Sequence, residues 1–283
     1  MPAATPGTCT CATPCACAPT WPAKPTSSSA PFRKARAGAP AGYFRWEAAG
    51  LRWLADAPGG ASVVPVLGVD DDGLVLERLA GVPPTAASAR AFGAALARTH
   101  AAGAPSFGAP PAGWDGDGFL GPLSEPLPLP LRPTPCWGRF WAEQRLMPLA
   151  RLARDRGALD SGDVVLVEAV AARCEAGEYD TGHPPARLHG DLWSGNVMWT
   201  ADAAVLIDPA AHGGHPETDL AMMALFGFPH LGDALAGYDD VTPATPGRAE
   251  RVGLHQLHPL LLHAAVFGPG YAGMVRAAAA AHA

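Results

Sequence analysis

The chain reads as an α+β protein of two unequal lobes, a small strand-containing N-lobe followed by a mostly helical C-lobe. Three observations carry that expectation. A helix-period stretch and a strand–turn–strand signal sit together between residues 44 and 79. Helical spacing then dominates to the C-terminus, and the one strand-like interruption is a second pair of short apolar runs, "NVMW" and "AVLID". At 283 residues the chain exceeds the commonest domain size of about 100 to 150 residues, which favours two lobes around a cleft.

Residues 1–31 are almost entirely Ala, Pro, Thr, Ser and Cys with no periodicity, so this stretch is expected to be disordered or mistranslated. Residues 32–80 form the N-lobe portion. Within it "FRWEAAGLRWLADA" places Phe44, Ala48, Leu51 and Ala55 on one helical face, and "PGG" ends the helix. "SVVPVLGVDDDGLVLERL" reads as two strands joined by the turn Asp70-Asp71-Asp72-Gly73. Residues 81–283 form the helical portion, opening with a helix through "AASARAFGAALARTHAAG". The Pro/Gly-rich residues 104–135 are expected to be an extended loop. "CWGRFWAEQRLMPLARLA" resumes helical spacing, with Pro148 kinking or dividing it. "SGDVVLVEAVAARCEAG" is a helix capped by Ser161 or Asp163. "NVMW" and "AVLID" form a hairpin about "TADA". "TDLAMMALFG", "GRAERVGLHQLHPLLLHAAVFG" and an Ala-rich end supply the last helices.

Twenty basic against twenty-six acidic residues give a formal charge of −6, with no basic run able to follow a phosphate backbone, so no nucleic-acid partner is expected. The most apolar late stretch is cut by three histidines and Pro259 and is too short to span a bilayer, and the first lysine is Lys24, too late for a secretory leader. A cytoplasmic protein with no membrane partner is the expectation; oligomeric state is not legible. Cys9, Cys11, Cys15 and Cys17 lack the CxxC pairs of a metal knuckle, and Cys136 and Cys174 are expected to be buried thiols.

The chemistry concentrates in "LHGDLWSGNVMW". Asp191 and Asn196 lie five residues apart, and Asp208 follows twelve later, after the hairpin. Because the hairpin starts at Asn196 and ends at Asp208, both reach one edge, close to Asp191. Asn and Asp oxygens suit a hard cation such as Mg²⁺, which is normally held by few protein ligands plus substrate phosphates. Asp191 would then face a substrate hydroxyl as proton acceptor. H-x-D-x4-N followed by Asp after a hairpin is the pattern of kinase catalytic loops and their metal-binding Asp.

Together with "LIDPAAHGGHPETDLAMM" and "YFRWEAAGLRWL", this motif resembles the fructosamine kinase (ketosamine-3-kinase) family, within the protein-kinase-like and aminoglycoside-phosphotransferase-like group. The match runs from about Phe32 to the C-terminus, and Trp193 tilts it toward the fructosamine kinases. The resemblance implies a protein-kinase-like fold and ATP-dependent phosphorylation of O3 on a ketoamine, a small-molecule or protein-bound glycated amine. The product is unstable and releases the amine, which is deglycation. It makes Asp191 the catalytic base, Asn196 and Asp208 the Mg²⁺ ligands, and His189 a loop-shaping residue. Asp219 matches the helix Asp that holds the catalytic loop, although an ordinary N-terminal helix acid reads the same way. Glu217 is either a substrate-side residue or a solvated charge. Lys34 and Glu47 match the strand Lys and helix Glu that serve the ATP phosphates. Glu77, Arg78 and Leu79 fall where the family's adenine-binding hinge lies. ATP and Mg²⁺ are therefore the implied cofactors.

The family has a strand pair and a phosphate-covering loop upstream of this lysine, whereas residues 1–31 hold one glycine, Gly7, and no strand pattern. A frame or start error would account for that departure; an authentic segment would leave the N-lobe incomplete. Two other readings therefore stand beside the first: a phosphotransferase of the aminoglycoside or choline type, and a weakly active nucleotide-binding protein. His212 and His215 make an H-x2-H that is read as structural rather than metal-binding. His255, His258 and His263 are read as partly buried or surface residues. Trp46, Trp53, Trp137 and Trp141 fit helical faces and are expected in the core, whereas Trp114 and Trp193 sit in loops and could stack on a sugar.

Overall fold

A computed structural model describes residues 30–283. The expectations placed on residues 1–29, the four early cysteines included, lie outside the described residues. The N-lobe begins with β1 (Phe32–Ala35) and α1 (Tyr43–Ala55), then β2 (Ser62–Val63), β3 (Val66–Val69) and β4 (Gly73–Leu76). The sheet order is β1-β4-β3, all antiparallel, with Lys34 opposite Leu74. The expected first strand is split, because Pro65 carries no N–H to donate and the register slips between Val66 and Gly68. Helix α1 buries Phe44, Ala48 and Leu51 against Leu74 and Leu76. Its stripe continues through Leu54, which leaves Ala55 exposed, contrary to expectation.

The C-lobe opens with α2 (Ala86–Ala101), whose Thr85 side chain and Ser88 cap each other's backbone amides. The supposed loop over 104–135 contains a hairpin, β5 (Gly118–Leu120) and β6 (Leu127–Leu129). Pro and Leu alternate there, so Leu127 and Leu129 point inward while Pro128 stays exposed opposite Phe119. Pro148 does not divide the next helix. α3 (Trp137–Phe140) runs through a π-helical stretch, Trp141–Leu146, into α4 (Met147–Asp155). Proline has no N–H for the carbonyl four residues back; that carbonyl, on Gln144, accepts instead from Arg145 Nη1 at 3.1 Å. The cap of α5 (Ser161–Glu175) is Asp160, with Asp163 its reciprocal partner, so the cap lies one residue before Ser161.

Four short strands follow: β7 (Ala186–Leu188), β8 (Val197–Trp199), β9 (Ala204–Leu206) and β10 (His212–Gly214). β8 and β9 are the expected hairpin. β10 returns antiparallel to β7, and β2 adds to β9 in parallel, joining the two lobes strand to strand. The chain ends in α6 (Glu217–Leu225), α7 (Leu231–Asp239), α8 (Arg248–Phe267, with Pro259 inside) and α9 (Ala272–Ala280). α7 gave no sequence signal; it packs backbone-close on α2, where a Cβ on Gly237 would lie 1.9 Å from the Arg90 carbonyl oxygen. Among the described residues no helix is long and apolar enough to cross a membrane.

Trp137, Phe140 and Trp141 form the centre of the C-lobe core with Leu257 and Leu261 of α8, and Trp46 joins the same cluster. Cys174 is buried, but Cys136 is exposed at the N-cap of α3. His255 and His258 are fully enclosed rather than at the surface. His258 donates from Nδ1 to the Arg145 carbonyl at 3.3 Å, and burial beside that arginine pushes its pKa down to about 3. Such a histidine is neutral in the fold and must take up a proton only on unfolding. Its contribution is therefore complete above pH ~6.5 and is lost as pH falls toward 3, at about 1.4 kcal/mol per pH unit. Urea titrations from pH 7 to 4 should show stability falling steadily, and His258→Gln should lower that slope by close to one proton. An unchanged slope would remove His258 as its source.

Candidate active site

The loop after β7 bends back sharply at Gly190, whose φ of +83° places it in the left-handed region. A Cβ there would lie 2.1 Å from the Ala210 carbonyl oxygen, so no side chain fits. The loop is held from below by Asp219 of α6. Its Oδ2 accepts the His189 amide at 2.8 Å and its Oδ1 accepts the Gly190 amide at 2.9 Å. His100 of α2 reaches the same carboxylate at 3.1 Å and passes on to the Tyr238 hydroxyl of α7 at 2.9 Å. Burial alone would raise the Asp219 pKa, but these donors hold it below the usual carboxylate range. His189 donates from Nε2 to the Ile207 carbonyl at 2.9 Å, and its Nδ1 accepts the Asp191 amide at 3.2 Å. Burial lowers the pKa of that ring.

These bonds present Asp191, Asn196 and Asp208 to one cavity of about 430 Å³. Asn196 Nδ2 donates to the Asp191 backbone carbonyl at 2.8 Å and to Asp191 Oδ2 at 2.9 Å. With its amide hydrogens turned to Asp191, Asn196 keeps Oδ1 as an acceptor. Burial raises the Asp191 carboxyl to about 6 against the opposing hydrogen bond from Asn196. Asp208 adopts a left-handed backbone, φ 51°, at the end of the strand pair. Lys34 of β1 bridges the lobes, 2.7 Å from Glu47 Oε2 and 3.1 Å from Asp208 Oδ1. Burial opposes its charge, but the two carboxylates outweigh that and hold its pKa above the ordinary lysine value. The site therefore offers a half-buried cation, a raised carboxylate, and two oxygen donors of the kind Mg²⁺ takes, the Asp208 carboxylate and Asn196 Oδ1.

Trp193 lines this cavity and is 39% exposed. Trp114 does not. Its ring packs edge-on against Trp46, 5.6 Å away, and Trp46 rather than Trp114 faces the cavity. Glu77, Arg78 and Leu79 also lie outside its lining; the Glu77 amide donates to the Pro65 carbonyl, and Leu79 packs against the N-lobe core. Glu217 is neither solvated nor in the cavity. Arg251 grips both its oxygens at 2.6 and 2.8 Å and Thr245 donates at 2.7 Å. Despite burial, His255 at 3.5 Å together with these donors holds its pKa far below the carboxylate range. His215, Glu217 and His255 bring ligand atoms within 4.8 Å of one another. The glutamate is already committed to Arg251, and His215 Nε2 to Thr181 at 2.8 Å, so this cluster is a packing network. His212 turns to the Ala210 carbonyl instead.

The remaining walls escaped sequence reasoning: Tyr43, Phe119, Leu123, Phe226, His263 and Phe267 among others. Several flank helix ends, as in "LFGF" after α6 and "FGPGY" after α8, and aromatics next to breakers were the available signal.

The fructosamine kinase family model matches residues 22–280. The solved structure of a Thermobifida fusca protein named for fructosamine-3-kinase superposes with a TM-score of 0.82 at 48% identity, covering 89% of this chain and 85% of that one. A Thermus thermophilus protein named as a ketoamine kinase is 36% identical over 83% of this chain and 80% of its own length. A Synechocystis protein of the same name is 38% identical over 64% of this chain, which spans 57% of that relative's length. The loop held by Asp219 thus sits in a protein-kinase-like fold shared with these proteins, and the chain belongs to the fructosamine kinase family.

Proposed function

We propose that this chain transfers the γ-phosphoryl group of ATP to O3 of a ketoamine, a 1-amino-1-deoxyketose, with Asp191 as general base. The observation that carries the reading is the convergence of Lys34, Asp191, Asn196 and Asp208 on one cavity, with Asp219 fixing the loop between them. Family membership and the ketoamine kinase names of the relatives supply the acceptor class.

In this reading Asp191 accepts the proton of the sugar hydroxyl. The new P–O bond forms to that oxygen as the bond to the departing ADP oxygen breaks. Asn196 fixes the Asp191 carboxylate through Oδ2, so the hydroxyl meets Oδ1. Lys34, steadied by Glu47, neutralises nucleotide phosphate charge from the N-lobe side. Asp208 and Asn196 Oδ1 would hold Mg²⁺, which offsets charge on the phosphates when bound. Trp193 offers an apolar face on which a sugar can stack. Phosphate at O3 is a good leaving group: enolisation between C1 and C2 expels it from C3, and water then hydrolyses the resulting C1 imine, which frees the parent amine and leaves a 3-deoxydicarbonyl sugar. Glu77 to Leu79 remain our assignment for the adenine side.

Purified protein with Mg-ATP should phosphorylate a fructosylated alkylamine and leave kanamycin and choline untouched. The reverse selectivity would overturn the acceptor assignment. Asp191→Asn should fold normally and lower kcat by about 10²- to 10⁴-fold, since positioned proton transfer contributes that much; retained turnover would overturn the base assignment. Asp219→Asn replaces one acceptor oxygen by an NH₂ facing a backbone N–H. It should destabilise the protein by about 1 to 3 kcal/mol and lower kcat more than it raises KM, measured by urea unfolding and steady-state rates.

A further inference from the structure

The cavity is chemically divided. Its charged groups, Lys34, Glu47, Asp191 and Asp208, all belong to the phosphotransfer edge described above. Beyond that edge the lining carries no ionised side chain. Phe119 and Leu123 come from the β5–β6 hairpin, Phe226 follows α6, and Val266, Phe267 and Tyr271 surround the end of α8.

His263 completes this wall without adding charge. Its ring stands 4.6 Å from Phe226, 5.2 Å from Phe267 and 5.1 Å from Tyr271. Nδ1 donates to the Pro259 carbonyl at 2.7 Å, so Nε2 is left as a neutral acceptor, and burial lowers the ring's pKa. Phe267, 58% exposed, stands at the rim where apolar surface would otherwise face water. Asp191, which meets the acceptor hydroxyl in this reading, lines the same cavity as the aromatic wall, so the wall lies on the acceptor side.

We propose that the aromatic wall of Phe226, His263, Phe267 and Tyr271 receives the amine-derived part of the ketoamine and selects uncharged alkyl or arylalkyl groups over cationic ones. The inference rests on the ketoamine kinase reading. A methyl or phenyl group leaving water for this wall gains the ordinary transfer free energy, which corresponds to about three- to fourfold in affinity per methylene. A second ammonium or a zwitterionic amino-acid head would enter the same space with no counter-ion and lose its hydration. The carboxylates within the cavity cannot serve it, because they are engaged at the phosphotransfer edge.

The test is a matched series of fructosylated amines: n-propyl, n-butyl, n-pentyl and phenethyl, against 1,3-diaminopropane and 1,4-diaminobutane. kcat/KM should climb about threefold per methylene in the alkyl series and fall at least tenfold when a terminal methyl becomes an ammonium. Phe267→Glu, a change at the exposed rim whose folding is checked by urea unfolding, should shift the ratio of diamine to alkylamine by at least tenfold toward the diamine. Equal kcat/KM across the series, or a preference for the diamines in the unmodified protein, would overturn this inference and leave the ketoamine kinase reading standing. Failure to phosphorylate any ketoamine would overturn that reading and this inference with it.

Discussion

The buried carboxylate of Asp219 is the constraint on which the rest of the site depends. An ionised group with 1% exposure is tolerated only if its lone pairs are met, and here two loop amides and His100 meet them. Those same amides belong to the residues that immediately precede Asp191. Satisfying one charge therefore sets the backbone of the loop, and the left-handed turn at Gly190 lets that backbone pass beneath Ala210. The chain of bonds then runs outward through His100 to Tyr238, joining α6, α2 and α7 in one polar seam.

The second constraint is Lys34, which lies 174 residues from Asp208 in sequence yet within 3.1 Å of its carboxylate. A single ammonium shared by Glu47 and Asp208 makes the N-lobe helix and the hairpin end parts of one electrostatic unit. Because its partners are partly shielded from water, this contact is less screened than the exposed ion pairs on the surface, such as Arg45 with Asp71.

Much of this is legible in the sequence itself. Asp191, Asn196 and Asp208 sit close in sequence and a recognisable hairpin closes the distance, so pattern alone brings them together. The α+β class follows from the same clarity of periodicity. Lys34 and Glu47 are different: nothing local marks them, and only resemblance to a family pointed there. Glu217 and Trp114 show where residue type misleads. A glutamate next to a catalytic segment looks available until Arg251, thirty-four positions downstream, takes both its oxygens, and a loop tryptophan looks free until Trp46 covers it. The β7–β10 pair was invisible because three residues per strand, two of them glycine in β10, leave no alternation to read.

The short parallel pairing of β2 with β9 has a mechanical meaning. Ser62 and Val63 lie against Val205 and Leu206, and the Val64 amide donates to the Leu206 carbonyl at 3.0 Å. This stitch ends two residues before Asp208, so it anchors the N-lobe beside the end of the hairpin that carries that carboxylate. The end of the hairpin is therefore tied to the N-lobe twice, once through this backbone pairing and once through the Lys34 ammonium, 3.1 Å from the Asp208 carboxylate. Neither tie can be lost without loading the other, so the position of Asp208 is braced by main chain as well as by charge.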